Sequence, residues 1–195
     1  MDWGLLIANS ILLGVGLAVD AFSVSVANAI AEPKMSGNKK FYVALTYALF
    51  QIAMPLVGWI CVHTISEYFT AFQKCIPYIA LVLLCYIGIK MLVEAKKGGD
   101  DEEVHYVTLT VKTLIIQGIA TSIDALSVGF AIAEYSAAEA VVGSIIIGVV
   151  TFFICTGGLW LGKKAGEKLK SKATVFGGIA LILIGIEIFV KDLFF

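Results

Sequence analysis

Arginine is missing from this chain: all 14 basic residues are lysines. The planar fork that clamps a phosphate or pyrophosphate through two parallel hydrogen bonds is therefore absent. That weakens a reading as a phosphate-handling enzyme, although lysine can still hold phosphate as a point charge. Histidine is scarce, and both His63 and His105 are expected at loop edges on the surface. The four cysteines (Cys61, Cys75, Cys85 and Cys155) form no C-x-x-C pair and have no histidine at ligand spacing, so soft-metal and redox-relay chemistry have little support. With a net charge of −1 there is no basic face for nucleic acid.

Other patterns fail on inspection. Gly157-Gly-Leu-Trp-Leu-Gly162-Lys163-Lys164 imitates a phosphate-binding P-loop, but Lys164 stands where a Ser or Thr would hold magnesium, and the run ends an apolar stretch. No nucleotide site is expected. Neither H-E-x-x-H nor G-x-S-x-G occurs, so the chain is not expected to be an enzyme or to need a cofactor. Asp2 stands at the start with no basic n-region before the apolar run and no A-x-A site after it, so the first run is expected to remain in the mature protein.

What is present is apolar sequence, at 59% of residues, with only 15% charged. Mean hydropathy is +0.95. Ordinary soluble domains hold about 45–50% apolar residues, so the fold class expected is all-α integral membrane. Six apolar runs are legible, at 4–30, 41–63, 75–93, 107–133, 138–161 and 174–190. Most reach the ~20 residues that a helix needs to cross the hydrocarbon. The last is short, and the first and fourth are long enough to tilt or break. Lysines gather in three connections: Lys34, Lys39 and Lys40; Lys96 and Lys97; and Lys163, Lys164, Lys168, Lys170 and Lys172. The other two connections hold only Lys74 and none. Cytoplasmic loops carry the excess of lysine, which puts both termini outside. The acidic run Asp100–Glu103 does not oppose this, because acidic residues contribute little to the rule.

Two apolar runs each carry a carboxylate in a matching setting. Gly14-Val-Gly-Leu-Ala-Val-Asp20-Ala-Phe-Ser23-Val-Ser-Val-Ala27 parallels Gly118-Ile-Ala-Thr-Ser-Ile-Asp124-Ala-Leu-Ser127-Val-Gly-Phe-Ala131. Pro55-Leu-Val-Gly58-Trp59 falls against Cys155-Thr-Gly-Gly158-Leu-Trp160, and Ile87-Gly-Ile-Lys90 against Ile184-Gly-Ile-Glu187. Three spans per copy is an odd number, so the copies must lie oppositely in the membrane. The organisation expected is six transmembrane helices as two inverted three-helix repeats, 1–95 and 107–195, joined by a charged cytoplasmic linker at 96–106. Such repeats build transporters with a midplane site.

A carboxylate at mid-membrane depth costs about 2.5–3.5 kcal/mol on insertion scales. Two retained in equivalent places point to a cation pathway, with packing or capping as the plain alternative for each. On a helix Asn9, Gly16, Asp20, Ser23 and Ala27 share a face, and Gln117, Ala120 or Thr121, Asp124, Ser127 and Ala131 form its counterpart. Oxygen ligands suit hard divalent cations, and two carboxylates neutralise a +2 ion. Asp20 lies past the centre of its run by about 4–5 Å at helical rise, so the two carboxylates form either one cage or two successive stations. Pro55 cannot donate to the Gln51 carbonyl. Gln51 then offers two oxygens, or else the proline is a simple kink. Thr151 is the counterpart of Gln51. Lys90 and Glu187 occupy matching places, either as an ion pair between repeats or as solvent-seeking flanks.

The motifs Asp20-Ala-Phe-Ser-Val-Ser25, Thr121-Ser-Ile-Asp124-Ala-Leu-Ser-Val-Gly129 and Gln51-Ile-Ala-Met-Pro55-Leu-Val-Gly58-Trp59 resemble those of the small bacterial manganese efflux pumps, the MntP family of the LysE-like transporters. Glu187 departs from the pattern, where a basic or neutral residue is expected. The resemblance implies Mn²⁺ as transported substrate, moved outward across a prokaryotic plasma membrane, with Asp20 and Asp124 as central ligands and Ser23, Ser127 and Gln51 nearby. A proton is the expected counter-ion, since a carboxylate in low dielectric can trade a proton for a metal. The alternative kept open is an exporter of a small amino acid or cationic metabolite.

Overall fold

A computed structural model describes residues 3–64, 76–97, 109–169 and 173–194. Helices cover each apolar run: α1 Trp3–Ala31, α2 Gly37–Thr64, α3 Ile76–Lys97, α4 Val111–Thr121, α5 Ile123–Ala131, α6 Ala137–Leu169 and α7 Ala173–Phe194. There is no strand among the described residues. By length and composition α1, α2 and most of α6 can each cross a membrane, and α4 with α5 makes a fourth candidate, bent by 43°. The fourth run is thus broken, while the first, equally long, is one helix. Cys75, His105 and Asp100–Glu103 lie outside the described residues, as do Lys74, Lys170 and Lys172.

Local chemistry sets the ends. Glu32-Pro33 follows α1, and the residue before a proline is pushed out of the α region. Ser36 caps α2 by accepting from the Lys39 N–H, and Thr110 caps α4 by accepting from the Thr113 N–H. Ser136 and Glu139 close a reciprocal capping box at the start of α6: the Glu139 carboxylate accepts from the Ser136 N–H at 2.9 Å, and Ser136 Oγ accepts from the Glu139 N–H at 3.4 Å. α6 runs past its apolar stretch to Leu169, so Lys163, Lys164 and Lys168 stand on helix where a loop is expected from 162.

Packing is inside-out by soluble standards. The buried set is rich in small residues, among them Ala18, Ala21, Ala27, Ala29, Ala44 and Ala125. It also holds the polar residues Ser10, Ser25, Asn28, Gln51, Gln117, Thr121, Ser122, Ser144 and Thr151. Large apolar side chains such as Leu12, Val82, Tyr86 and Phe153 point outward. That distribution suits lipid outside and close backbone contact inside. The heaviest packing pairs α1 with α6, α3 with α7 and α2 with α6, followed by α2 with α5 and α1 with α7; α1 and α2, neighbours in sequence, barely touch.

Glycines allow the closest crossings. A Cβ on Gly58 of α2 would strike the Leu126 carbonyl of α5, and one on Gly158 of α6 would lie 2.9 Å from the Phe22 carbonyl of α1. Gly88 of α3 and Gly178 of α7 face each other's carbonyls in the same way, with added Cβ atoms at 2.6 and 2.9 Å. Gly157, one residue away on α6, has open space around it. Gly58→Ala should therefore lower the thermal midpoint of the detergent-purified chain through about 1–3 kcal/mol of overpacking. Gly157→Ala should leave the midpoint unchanged or raise it. Equal midpoints for the two variants would contradict this account of the crossing.

Candidate functional site

The Thr121-Ser122-Ile123-Asp124 string is where the fourth span breaks. Thr121 Oγ1 donates back to the Gln117 carbonyl at 2.9 Å and Ser122 Oγ to the Gly118 carbonyl at 2.6 Å. The Ser122 N–H reaches only as far as Ile119 O, a tightened turn. Hydroxyls that bond back onto the preceding turn compete with the helical ladder and bend it. α5 then restarts with Asp124 in its first turn, and Asp124 Oδ1 accepts from the Ala125 N–H at 2.9 Å. Asp20 lies in the uninterrupted α1, where Ser23 Oγ donates to Val19 O at 2.9 Å. Both aspartates are half-buried.

Gln51 joins the two. Fully buried on α2, its Nε2 donates to the Leu17 carbonyl of α1 at 3.3 Å and to the Thr121 carbonyl at the end of α4 at 3.1 Å. Each carbonyl lies one helical turn before an aspartate. Gln51 Oε1 is buried and has no hydrogen-bond partner among the described residues. Thr151 is also buried, with its hydroxyl donating to the Ile147 carbonyl at 3.0 Å. Ser23 is half-buried and Ser127 exposed. The structure thus brings Gln51 and Thr121 together beside the two Asp motifs. Lys90 is exposed on α3, and the side chain of Glu187 on α7 lies outside what is described. His63 is exposed as expected, with Nδ1 donating to the Trp59 carbonyl at 2.8 Å.

Sequence reasoning missed a second polar layer. Asn28 Nδ2 donates to Tyr47 Oη at 2.8 Å and to Gln117 Oε1 at 2.9 Å; Tyr47 Oη donates to Gln117 Oε1 at 3.0 Å, and Gln117 Nε2 returns to Asn28 Oδ1 at 3.0 Å. This closed, fully buried triad binds α1, α2 and α4 together. Beyond it a third layer joins the same elements. The Glu32 carboxylate takes Lys39 Nζ with both oxygens at 2.7 Å and accepts from the Leu109 N–H at 2.8 Å. Asn28 carried a signal, as an amide inside an apolar run two helical turns beyond Asp20; Tyr47 carried none.

Exposure along the two Asp faces grades in one direction. On α1 it falls from exposed Asn9 and Gly16, through half-buried Asp20 and Ser23, to buried Ala27 and Asn28. On α4 and α5 it rises from buried Gln117 and Thr121, through half-buried Asp124, to exposed Ser127 and Ala131. Both faces are closed at the end that carries the triad. Among the described residues no group of three or more His, Cys, Asp or Glu side chains gathers to hold a metal. Any cation here would be held by carboxylate, amide, hydroxyl and backbone oxygens, a hard donor set.

Helices of membrane-crossing length, a broken span and a buried polar core define a multi-pass helical membrane protein. More narrowly, the chain belongs to the MntP family: the family described as "Putative manganese efflux pump" matches residues 34–189. It is 39% identical over 192 residues to a "Putative manganese efflux pump MntP 2" of Clostridium botulinum, covering 93% of this chain and 92% of that one. A Clostridium perfringens protein named "Putative manganese efflux pump MntP" is 38% identical over 207 residues, at 95% and 94% coverage. One of the same name from Ruminiclostridium cellulolyticum is 35% identical over 185 residues, at 95% and 96%. No solved structure matches the chain.

Tyr47→Phe removes one hydroxyl from the triad and leaves its partners short of a bond, which costs about 1–3 kcal/mol for a buried group. The expected drop is on the order of 2–12 °C in thermal midpoint for a chain of this size, read by tryptophan fluorescence in detergent. No shift would show that the triad contributes nothing to holding the three helices.

Proposed function

We propose that this chain exports Mn²⁺ across a prokaryotic plasma membrane by secondary active transport, through a site that Asp20 and Asp124 contribute from two inverted three-helix repeats. The repeats are residues 1–95 and 107–195, with 96–106 as the cytoplasmic linker. The observation that carries this reading is the Gln51 bridge. In the alignment that matches Asp20 with Asp124, Leu17 matches Thr121, so one amide nitrogen holds equivalent carbonyls of both motifs. The ion then meets two carboxylates one turn further along, with Gln51 Oε1 buried nearby and in need of a partner.

Further contacts support the two-fold relation. Gly58 against Leu126 O is matched by Gly158 against Phe22 O, where Phe22 and Leu126 stand equally far beyond their aspartates. Gly14 abuts Val150 and its counterpart Gly118 abuts Phe50, again an equivalent pair. Gly148 faces Ala48, its own counterpart, across the α2–α6 crossing. Positive-inside bias places both termini outside. The basic, triad-bearing end then faces the cytoplasm, and the exposed ends of both Asp faces look outward.

Transport follows from those parts. Two carboxylates neutralise the dication, and Ser23, Ser127 and Gln51 can add neutral oxygens, with Thr121 and Thr151 close behind. Matched segments take different backbones, straight at Leu17–Asp20 and broken at Thr121–Asp124. Exchange of those two conformations is what rocking of inverted repeats requires. In this state the triad and the Glu32–Lys39 pair close the cytoplasmic route, and opening it would break them together. A carboxylate released from the metal in low dielectric has a raised affinity for a proton, so proton entry from outside would complete the exchange. The work is transport rather than bond-making, and Mn²⁺ is cargo, with no cofactor assigned.

The test is elemental analysis of manganese-loaded cells that lack their own exporter. Expression of the chain should lower cellular manganese, and Asp20→Asn or Asp124→Asn, at matched membrane levels, should return it to the level of cells without the chain. If another cation or a small amino acid falls instead, the substrate assignment is wrong. If both variants export normally, the aspartates are structural.

A further inference from the structure

Away from the polar core, α2 and α6 diverge to leave a half-open groove of about 300 Å³, within the size range of small-molecule pockets. Its wall is apolar and aromatic. Phe41 and Phe152 meet edge to face with centroids 5.5 Å apart, Leu159 is buried behind them, and Trp160 is 58% exposed at the rim. At one end the groove becomes cationic. Lys40 lines it, and the Lys163 ammonium is near enough for the two charges to repel, with Glu167 attracting Lys40. Glu167 also lies 3.6 Å from Lys163, so one carboxylate stands between two ammonium groups. Lys164 Nζ sits 3.6 Å over the Trp160 ring.

The geometry points to an anionic phospholipid bound in this groove, its headgroup phosphate among Lys40, Lys163 and Lys164 and one acyl chain along Phe41, Phe152 and Trp160. Charge complementarity favours it: the lysines outnumber the carboxylate at this end, and a phosphate placed there lowers the repulsion between Lys40 and Lys163. Position favours it as well. The groove opens on the outer surface of the helices, where lipid lies, and its charged end meets the basic connections. Basic pockets between membrane helices, beside a tryptophan at the interface, are suited to anionic headgroups. A soluble anion would leave the apolar length of the groove unfilled. The inference rests on the membrane reading of the fold and is independent of what is transported.

Trp160 is a built-in reporter. The chain has three tryptophans, so Trp3→Phe with Trp59→Phe leaves Trp160 alone. The full chain is reconstituted in vesicles of phosphatidylcholine with a small fraction of lipid brominated on one acyl chain, as phosphatidylglycerol or as phosphatidylcholine. Brominated phosphatidylglycerol should quench Trp160 with an apparent association on the order of fivefold above that of brominated phosphatidylcholine, the scale of one lysine–headgroup attraction. Lys40→Gln/Lys163→Gln/Lys164→Gln should abolish the preference, and the corresponding three arginine substitutions should retain it. Equal quenching by the two lipids, or a preference that survives the glutamine variant, would overturn the proposal. Should the triple glutamine variant fail to fold, Lys163→Gln alone, at a half-exposed side chain, must still lower the preference. No manganese enters the readout, so its failure and the failure of the export reading are told apart.

Discussion

A glutamine amide in the middle of α2 holds this structure's two carboxylate motifs in one frame. Gln51 Nε2 spans from Leu17 O to Thr121 O, and in a setting without water neither bond is readily replaced. A buried amide nitrogen left without an acceptor costs about 1–3 kcal/mol, so the bridge fixes α1 and the α4–α5 break relative to each other. Everything nearer the aspartates inherits its position from that frame. The Ala and Gly surfaces around it let backbones approach within contact of one another. The bulky apolar side chains, having no room inside, face outward.

The three polar layers on the closed side share a design. Gln51, the Asn28–Tyr47–Gln117 triad and the Glu32–Lys39–Leu109 cluster each tie α1, α2 and the start of the second half together. Each layer is bonded through side chains and backbone from different elements, so none persists if the halves separate. On the opposite side Trp59 Nε1 donates to the Tyr135 carbonyl at 3.0 Å. There Leu17, Ala125 and Ile147 pack with Leu13, Met54 and Val128.

Much of this was legible in the sequence, for physical reasons that can be named. Hydropathy placed the helices because lipid demands long apolar runs, and the resemblance in the Asp motifs placed the family. The Asp motifs themselves stood out because a carboxylate in an apolar run is costly. The break at Thr121–Asp124 was allowed for by length but not located, since α1 is as long and stays straight; the difference lies in paired hydroxyls at Thr121 and Ser122, which their counterparts Leu17 and Ala18 lack. Gln51 was expected as an oxygen donor because of Pro55. Its nitrogen turned out to hold the helices, which only the spatial meeting of α1, α2 and α4 reveals. Tyr47 was invisible, because one tyrosine in an apolar helix has no spacing that marks a buried partner. The lysines on the extension of α6 looked like loop for want of apolar residues there, though a capped helix that is already formed continues at little cost.

The central claim is that Asp20 and Asp124 act on one ion held within the frame that Gln51 sets. The most direct measurement is an electron paramagnetic resonance titration of Mn²⁺ into the purified chain, beside Asp20→Asn, Asp124→Asn and the double variant. The account predicts a saturable site that either single substitution weakens by at least ~10–100-fold, the scale seen even for groups one shell removed from a metal. The double variant should be little worse than either single one. Binding that is unchanged in both single variants, or two independent sites each lost with its own aspartate, would contradict it.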